Sequence, residues 1–172
     1  MPNGMKTLTE RIPTTKFLVV DDEHSMRKVI HALLTAMGAQ TIYEAKNGST
    51  GLDLIRTLAP HVVILDWEMP GLDGAAFMRI VRSPGRFPRP DVPVIMLTGH
   101  SERSRVVEAA QLGVNEYLVK PVSLNALQKR LAAVLTNPRP MVRSGDYYGP
   151  APRNLSTVLK DADPLAEYFL VD

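Results

Sequence analysis

The 172-residue sequence contains no cysteine, only one tryptophan and a formal net charge of only +2. The absence of cysteine excludes disulfides, thiolate metal sites and cysteine nucleophiles. So small a net charge gives no argument for nucleic-acid binding. No apolar run approaches the roughly 18–20 residues of a membrane span, and residues 1–16 lack the apolar core of a secretory signal. These absences predict a cytoplasmic protein with neither membrane nor nucleic acid among its partners.

Short apolar runs alternate with helical patterns five times along the middle of the chain. Nearly continuous apolar strands joined by helical crossovers are typical of a parallel sheet that is covered on both faces. The right-handed crossover rule then predicts an α/β fold, a five-stranded parallel sheet in a doubly wound three-layer α/β/α sandwich. The predicted strands lie at about residues 17–20, 40–44, 61–65, 94–97 and 116–119, and the predicted helices at about 25–37, 49–58, 73–82, 101–112 and 123–135.

The two ends of the chain differ in composition from this middle part, which we predict to form one domain over residues 16–136. Residues 1–15 are polar and contain two prolines and a glycine, which predicts a flexible N-terminal arm. Residues 137–172 form a proline- and glycine-rich tail that begins as an extended linker. Helical spacing after residue 154 predicts short helical segments. We expect this tail to pack on a protein surface, either its own, a second copy in a homodimer, or a partner.

Polar residues stand directly after four of the five predicted strands. Asp21 and Asp22 follow the first strand, Asp66 the third, Thr98 the fourth and Lys120 the fifth. In doubly wound sheets, ligands bind at the carboxyl ends of the strands. We therefore expect three carboxylates, a hydroxyl and an ammonium group to meet in one crevice.

This set of side chains predicts a particular chemistry. Clustered carboxylates do not all stay ionised cheaply without a positive partner. A hard divalent cation with oxygen ligands offsets the repulsion, and Mg²⁺ is the usual one that also keeps water and phosphate oxygens as ligands. A carboxylate held between that cation and Lys120 is a good phosphoryl acceptor. The Thr98 hydroxyl is then placed to donate to a phosphoryl oxygen.

Each residue also has a simpler interpretation. Asp21 and Asp22 could stabilise the N-terminus of a helix, Asp66 could cap a turn, and Thr98 could be an N-cap. Lys120 could be an ordinary surface lysine. The common position at strand ends favours the functional interpretation of all four sites.

Four motifs together resemble the response-regulator receiver domain, the phosphoacceptor module of two-component signalling. They are FLVVDDE, VILDWEMPGLDG, VIMLTGH and NEYLVKP, and the resemblance covers roughly residues 15–136. It implies a flavodoxin-like fold similar to chemotaxis regulators. It also implies that Asp66 accepts a phosphoryl group from a sensor histidine kinase or a histidine phosphotransfer protein. Asp21, Asp22, Asp66 and the main-chain carbonyl of Glu68 would bind Mg²⁺.

The same resemblance assigns roles to further residues. Thr98 and Lys120 would bind the phosphoryl group, and Thr98 and Tyr117 would form the switch, although Tyr117 could also be plain core packing. Glu68 and His100 would tune how long the phosphoryl group survives. The fourth helix, fifth strand and fifth helix would present the surface that selects a downstream protein. The Lys120–Pro121 bond would be cis.

Two other functions compete with this interpretation. A haloacid-dehalogenase-type phosphatase would use Asp66 as nucleophile, but it needs a second aspartate at the position of Glu68 and an acid pair after the lysine. A DNA-binding regulator would need an effector domain, and only about 36 residues follow the fifth helix, too few for a usual helix-turn-helix module. We therefore predict a phosphoacceptor signalling module with no DNA-binding effector, not an enzyme in its own right.

Overall fold

In the computed structural model, residues 4–99 and 103–151 are described, and they contain one central sheet and one hairpin. The sheet has the strand order β2-β1-β3-β4-β5, and all of its strands are parallel. The strands are β1 (Lys16–Val20), β2 (Thr41–Ala45), β3 (Val62–Asp66), β4 (Val94–Thr98) and β5 (Glu116–Val119).

Helices cover both faces of this sheet. In the described part of the chain the α-helices are α1 (Leu8–Arg11), α2 (His24–Ala36), α3 (Gly48–Leu58), α4 (Gly74–Val81), α5 (Arg103–Gln111) and α6 (Leu124–Leu135). Buried residues of α2 and α6 pack with one face of the strands, and those of α3, α4 and α5 pack with the other. The doubly wound three-layer prediction is confirmed. Because α1 precedes the predicted set, the fourth and fifth predicted helices are α5 and α6.

The central strands are buried because they carry almost only apolar residues. All five residues of β3 and all five of β4 are buried. Strand β1 lies between β2 and β3, so the connection after β1 runs toward one edge of the sheet and the connection after β3 runs toward the other. This reversal of strand order opens a crevice at the carboxyl ends of β1 and β3.

The N-terminal segment differs from the flexible arm that we expected for residues 1–15. Helix α1 begins with a capping box, in which Thr7 and Glu10 bond reciprocally to each other's main chain. A 3₁₀ turn over Ile12–Thr14 follows. Ile12 is 1% exposed and packs into the same apolar cluster as the inward side of α6. Burial of this side chain fixes a segment whose polarity alone suggested disorder.

The segment after α6 also differs from the expected extended linker. Strands β6 (Met141–Ser144) and β7 (Tyr147–Pro150) form an antiparallel hairpin around the two-residue loop Gly145-Asp146. Gly145 has a φ of +57°, which glycine adopts without strain. The predicted helical segments after residue 154 lie outside the described residues. In the described part of the chain, no helix has the length and apolarity that a bilayer crossing requires.

Candidate functional site

The acidic residues predicted to converge do so at the crevice between β1 and β3. Register pairs Val20 with Leu65, so Asp21 and Asp66 follow side by side on adjacent strands. One carboxylate oxygen from each of Asp21, Asp22 and Asp66 lies within 4.8 Å of the other two. Asp21 and Asp66 are buried, whereas Asp22 is exposed. The cluster therefore has two inner carboxylates and one that faces solvent.

Asp21 has one satisfied and one unsatisfied carboxylate oxygen. Its Oδ1 accepts a hydrogen bond of 2.8 Å from the main-chain N–H of Glu23, whereas its buried Oδ2 has no hydrogen-bond partner. Arg27 of α2 donates to the main-chain carbonyl of Asp21 at 2.8 Å and so fixes the loop after β1. A buried carboxylate oxygen without a donor is costly. Such an atom is suited to hold a cation.

Lys120 supplies the positive charge of the site. Its Nζ lies 3.2 Å from Oδ1 of Asp66 and 3.5 Å from Oδ2 of Asp21. The N–H of Lys120 donates to the carbonyl of Thr98 at 2.8 Å, which ties the end of β5 to the end of β4. The Lys120–Pro121 peptide bond that follows is cis, as predicted. The backbone thus aims one ammonium group between two carboxylates.

The balance of these charges shifts two pKa values. Burial, and next the charge of Asp21, raise the pKa of Asp66 to about 7, although Lys120 opposes the shift. For Lys120, burial lowers the pKa, but the attraction of Asp66 and Asp21 outweighs it, so the net shift is upward. One ammonium group is therefore too little to neutralise the cluster, and a further cation would relieve the repulsion.

The donor set fits a hard divalent cation. Three carboxylates offer only oxygen ligands, one of them is open to solvent, and one buried oxygen lacks a donor. Mg²⁺ prefers oxygen ligands and keeps several waters. Asp21, Asp22 and Asp66 would hold it. The main-chain carbonyl of Glu68 remains a predicted ligand.

The loop after Asp66 is held by close packing at the start of α4. Gly74 donates its N–H to the carbonyl of Trp67 at 3.0 Å. A Cβ on Gly74 would lie 2.4 Å from the Trp67 ring, so only glycine fits there. Asp73 caps α4 by accepting a hydrogen bond of 2.9 Å from the N–H of Ala76. This packing fixes the direction in which the chain leaves the acidic cluster.

The two predicted switch residues lie on neighbouring strands. Thr98 is fully buried at the end of β4, and Tyr117 is 4% exposed on β5, where it pairs with Met96. The guanidinium carbon of Arg130, from α6, stands 4.5 Å from the centroid of the Tyr117 ring. Tyr117 therefore links β5 to the helix that lines one side of the predicted partner surface.

Of the two residues predicted to tune the lifetime of the phosphoryl group, only Glu68 lies within the described residues. The carboxylate of Glu68 is an ion-pair partner of Arg105, which belongs to α5. Both residues line a groove of about 590 Å³, together with Trp67 and Met69. His100 lies outside the described residues. Sequence reasoning did not find Arg105 or Arg27, because a lone arginine in a helix carries no pattern that names its partner.

Comparison with known proteins agrees with this fold and crevice. The family model described as the response regulator receiver domain matches residues 17–132. The chain is 36% identical over 119 residues to the chemotaxis protein CheY of Pseudomonas aeruginosa, and the match covers 69% of this chain and 94% of that protein. It is likewise 36% identical over 121 residues to CheY1 of Helicobacter pylori, with 70% and 96% covered.

Solved structures give the same result. The chain is similar to CheY4 of Vibrio cholerae, with a TM-score of 0.64, 30% identity and coverage of 70% of this chain and 98% of that one. A putative response regulator from Chloroflexus aurantiacus gives a TM-score of 0.65 at 27% identity, with 70% and 97% covered.

These matches, together with the flavodoxin-like sheet and its acidic crevice, define a signalling module and not a classical enzyme. The chain belongs to the response-regulator receiver-domain family. Within that family, its named relatives include chemotaxis proteins of the CheY type.

Proposed function

We propose that Asp66 accepts a phosphoryl group from a phosphohistidine on a sensor histidine kinase or histidine phosphotransfer protein, in the presence of Mg²⁺. Phosphorylation then changes a surface that binds a downstream protein. The observation that supports this most strongly is the convergence of Asp21, Asp22, Asp66 and Lys120 at one end of the sheet.

The proposed transfer is a substitution at phosphorus. A carboxylate oxygen of Asp66 forms a bond to phosphorus while the bond from phosphorus to the donor's histidine nitrogen breaks. The departing imidazole keeps the electron pair and takes a proton from solvent. The product is an acyl phosphate, and water later cleaves it to restore the carboxylate and release inorganic phosphate. When held by Asp21, Asp22 and Asp66, Mg²⁺ would supply positive charge that offsets the negative charge of the carboxylates and of the phosphoryl group.

The side chains around Asp66 have distinct tasks in this step. Lys120, at 3.2 Å from Asp66, holds one carboxylate oxygen and is placed to contact a phosphoryl oxygen. Thr98 stands on the next strand, where its hydroxyl can donate to the same group. The low exposure of Asp66 and Thr98 excludes bulk water from the acceptor. Glu68, two residues after Asp66 and ion-paired with Arg105 of α5, is proposed to affect the approach of water.

The output is proposed to run from Thr98 to the surface of α5, β5 and α6. A phosphoryl group that draws Thr98 toward Asp66 frees space beside β5 for Tyr117. The surface then changes between two arrangements whose populations depend on phosphorylation. The cation–π contact between Tyr117 and Arg130 extends this path to α6. The downstream protein is selected by this surface.

A labelling experiment tests the proposal. The wild type is incubated with a small acyl phosphate and Mg²⁺, and intact mass is measured against time. We expect one phosphoryl group per chain, no label in Asp66→Asn, and no label when a chelator removes the metal. Asp53→Asn is the matched control, because it changes an exposed aspartate of α3. Equal labelling of wild type and Asp66→Asn would contradict the proposal.

The same experiment separates this function from the phosphatase alternative. A receiver takes up label in proportion to protein and turns over slowly. A haloacid-dehalogenase-type phosphatase would release many phosphates per chain from a small phosphate monoester. Rapid multiple turnover on such an ester by the wild type, lost in Asp66→Asn, would favour the enzyme.

A further inference from the structure

The hairpin of β6 and β7 lies at the amino ends of the strands, opposite the acidic crevice. The family match ends at residue 132, so this hairpin is an addition of this chain to the common domain. It packs against the turn before β5 and the proline-rich loop before β4. The Tyr148 hydroxyl donates to Asp91 of that loop. A Cβ on Gly113 would lie 2.7 Å from the Tyr148 carbonyl, which shows how closely the two backbones approach.

Two arginines fasten the hairpin and the loop to the sheet. Arg139 donates to the carbonyls of Ala151 and Asn115 at 2.8 and 2.6 Å. Arg82, which is 8% exposed, donates to the carbonyls of Pro90, Val92 and Gly113 and to the Asn115 side chain. All four acceptors of Arg82 are therefore neutral, and none of these hydrogen bonds goes to a carboxylate that would neutralise its positive charge.

Between the hairpin and the end of α4 lies a groove of about 330 Å³. Three arginines line it, Arg82 from the end of α4, Arg86 from the loop and Arg143 from β6. One acidic residue, Asp146, also lines it. Arg86 and Arg143 are exposed, and within the described ranges 4–99 and 103–151 their side chains make no hydrogen bond or ion pair. The groove therefore has an uncompensated positive charge and is built to receive an anionic group.

The sequence holds a suitable anionic segment close to this groove. Residues 161–172 lie outside the described part of the chain, and they contain four acidic residues and no basic one. The described chain ends at Ala151, three residues after Tyr148 of the groove wall. Ten further residues span up to about 33–36 Å, which is enough to return to the groove. A segment attached so closely has an effective concentration in the millimolar range.

We propose that the groove lined by Arg82, Arg86 and Arg143 binds the acidic segment 161–172 of the same chain. Its carboxylates pair with Arg86 and Arg143, whose side chains have no ion-pair partner among residues 4–99 and 103–151. The groove then serves as an intramolecular docking site that any other acidic peptide must compete for.

The absence of cysteine makes a direct test possible. A spin label is attached to the full-length chain through Ala166→Cys, and paramagnetic broadening of backbone amides is measured by NMR. We expect strong broadening at residues 83–86 and 143–148. The broadening should be lost in the double variant Arg86→Glu, Arg143→Glu. It should also weaken as salt is raised, because the electrostatic screening length falls to about 3 Å at about 1 M salt. The matched control is Lys28→Glu with Lys129→Glu, which changes the same charge on exposed lysines of α2 and α6.

A charge swap adds specificity to the test. Substituting Asp161, Asp163 and Glu167 by lysine abolishes the broadening in the wild-type groove and restores it in the Arg86→Glu, Arg143→Glu background. Broadening that is unchanged by the groove variants would overturn the proposal. So would broadening that appears only between a labelled chain and a separate isotope-enriched chain, because the contact would then join two copies. Loss of acyl-phosphate labelling at Asp66 is a separate result and does not bear on this docking.

Discussion

The two ends of this sheet bury charge in different ways. At the carboxyl ends of β1 and β3, Asp21 and Asp66 are buried with like charges beside them, and one oxygen of Asp21 has no hydrogen-bond donor. At the amino ends, Arg82 is also buried, but four acceptors take its hydrogen bonds. The first arrangement is electrostatically strained, and the second is satisfied.

This difference distinguishes a reactive site at the carboxyl ends from a structural site at the amino ends. A buried group with all its hydrogen bonds made stabilises one conformation, because removing it leaves several unsatisfied partners. Buried like charges instead store repulsion that an incoming cation or a chemical change can release. A substitution of Arg82 at the amino ends should therefore lower stability and leave phosphorylation intact. A substitution of Asp66 at the carboxyl ends should raise stability and abolish phosphorylation.

The largest effect is expected at the amino ends, from Arg82→Ala. Three carbonyls lose this donor, and the Asn115 side-chain oxygen keeps only the N–H of Val94. The free energy of unfolding should therefore fall by about 3–5 kcal/mol in urea titrations. Arg82→Lys should lose less, because a single ammonium keeps part of the set. In native buffer both variants should still take up label at Asp66. A loss below about 1 kcal/mol for Arg82→Ala would contradict the structural role.

A smaller loss is expected from Gly113→Ala. Gly113 has a φ of +90° and contacts the hairpin, whereas Gly38 has a φ of +99° and open space, with no atom within 4 Å of where a Cβ would stand. Alanine in such a backbone costs about 1–2 kcal/mol at either site, and the clash with Tyr148 should add about 1–2 kcal/mol at Gly113 alone. Equal losses in thermal unfolding of the two variants would show that the hairpin does not pack tightly there.

The opposite sign is expected at the carboxyl ends, from Asp66→Asn. Because the pKa of Asp66 rises from an ordinary 3.8 to about 7 in the folded state, the folded protein binds the proton more tightly than the unfolded chain. Its ionisation therefore lowers stability as pH rises from about 4 to about 7. Without metal, Asp66→Asn should be more stable than wild type at pH 8, by on the order of 1–2 kcal/mol after allowance for solvent screening.

That gain should disappear on acidification below pH 4, where Asp66 is protonated in both states. It should also shrink when Mg²⁺ is added, because the metal stabilises only the wild type. Thermal unfolding at several pH values, with and without the metal, measures both trends. A destabilised Asp66→Asn at pH 8 in a chelator would contradict the strained cluster.

The smallest effect is expected from the exposed contact between Tyr148 and Asp91. Tyr148→Phe removes one hydrogen bond near solvent and should cost about 0.5–1 kcal/mol. A double-mutant cycle with Asp91→Ala, which removes the acceptor, isolates this contact. A coupling energy of zero would mean that the hairpin is held by Arg139 and the backbone contacts alone.

The sequence predicted the carboxyl end of the sheet better than the amino end. The continuous apolar runs predict a parallel sheet. Because the strand ends of such a sheet meet at one edge, the pattern also predicts which side chains meet in the crevice, namely Asp21, Asp66, Thr98 and Lys120. What the pattern did not carry was the pairing of charges, such as Glu68 with Arg105. Side-chain partners across the sequence depend on helix orientations that local spacing does not determine.

The errors at the chain ends have physical explanations. The capping pattern from Thr7 to Glu10 was present in the sequence, but one buried Ile12 decides whether so short a segment is ordered. The Gly145-Asp146 pair between two runs with aromatic and branched residues is a hairpin signal. Nearby prolines suggested a linker instead, although Pro150 stands at the end of an edge strand, where no ladder hydrogen bond from it is needed.

The central claim is that Asp21, Asp22 and Asp66 share one divalent cation, and a Mg²⁺ titration tests it most directly. Trp67, the only tryptophan, is 5% exposed and directly follows Asp66, so its fluorescence reports on the site. We predict a saturable change in wild type and in the control Asp53→Asn. Asp21→Asn and Asp66→Asn should each weaken Mg²⁺ affinity by at least about tenfold, because even substitutions of residues that only contact a metal ligand lower metal affinity by that factor. Unchanged Mg²⁺ affinity in both of these variants would contradict the account.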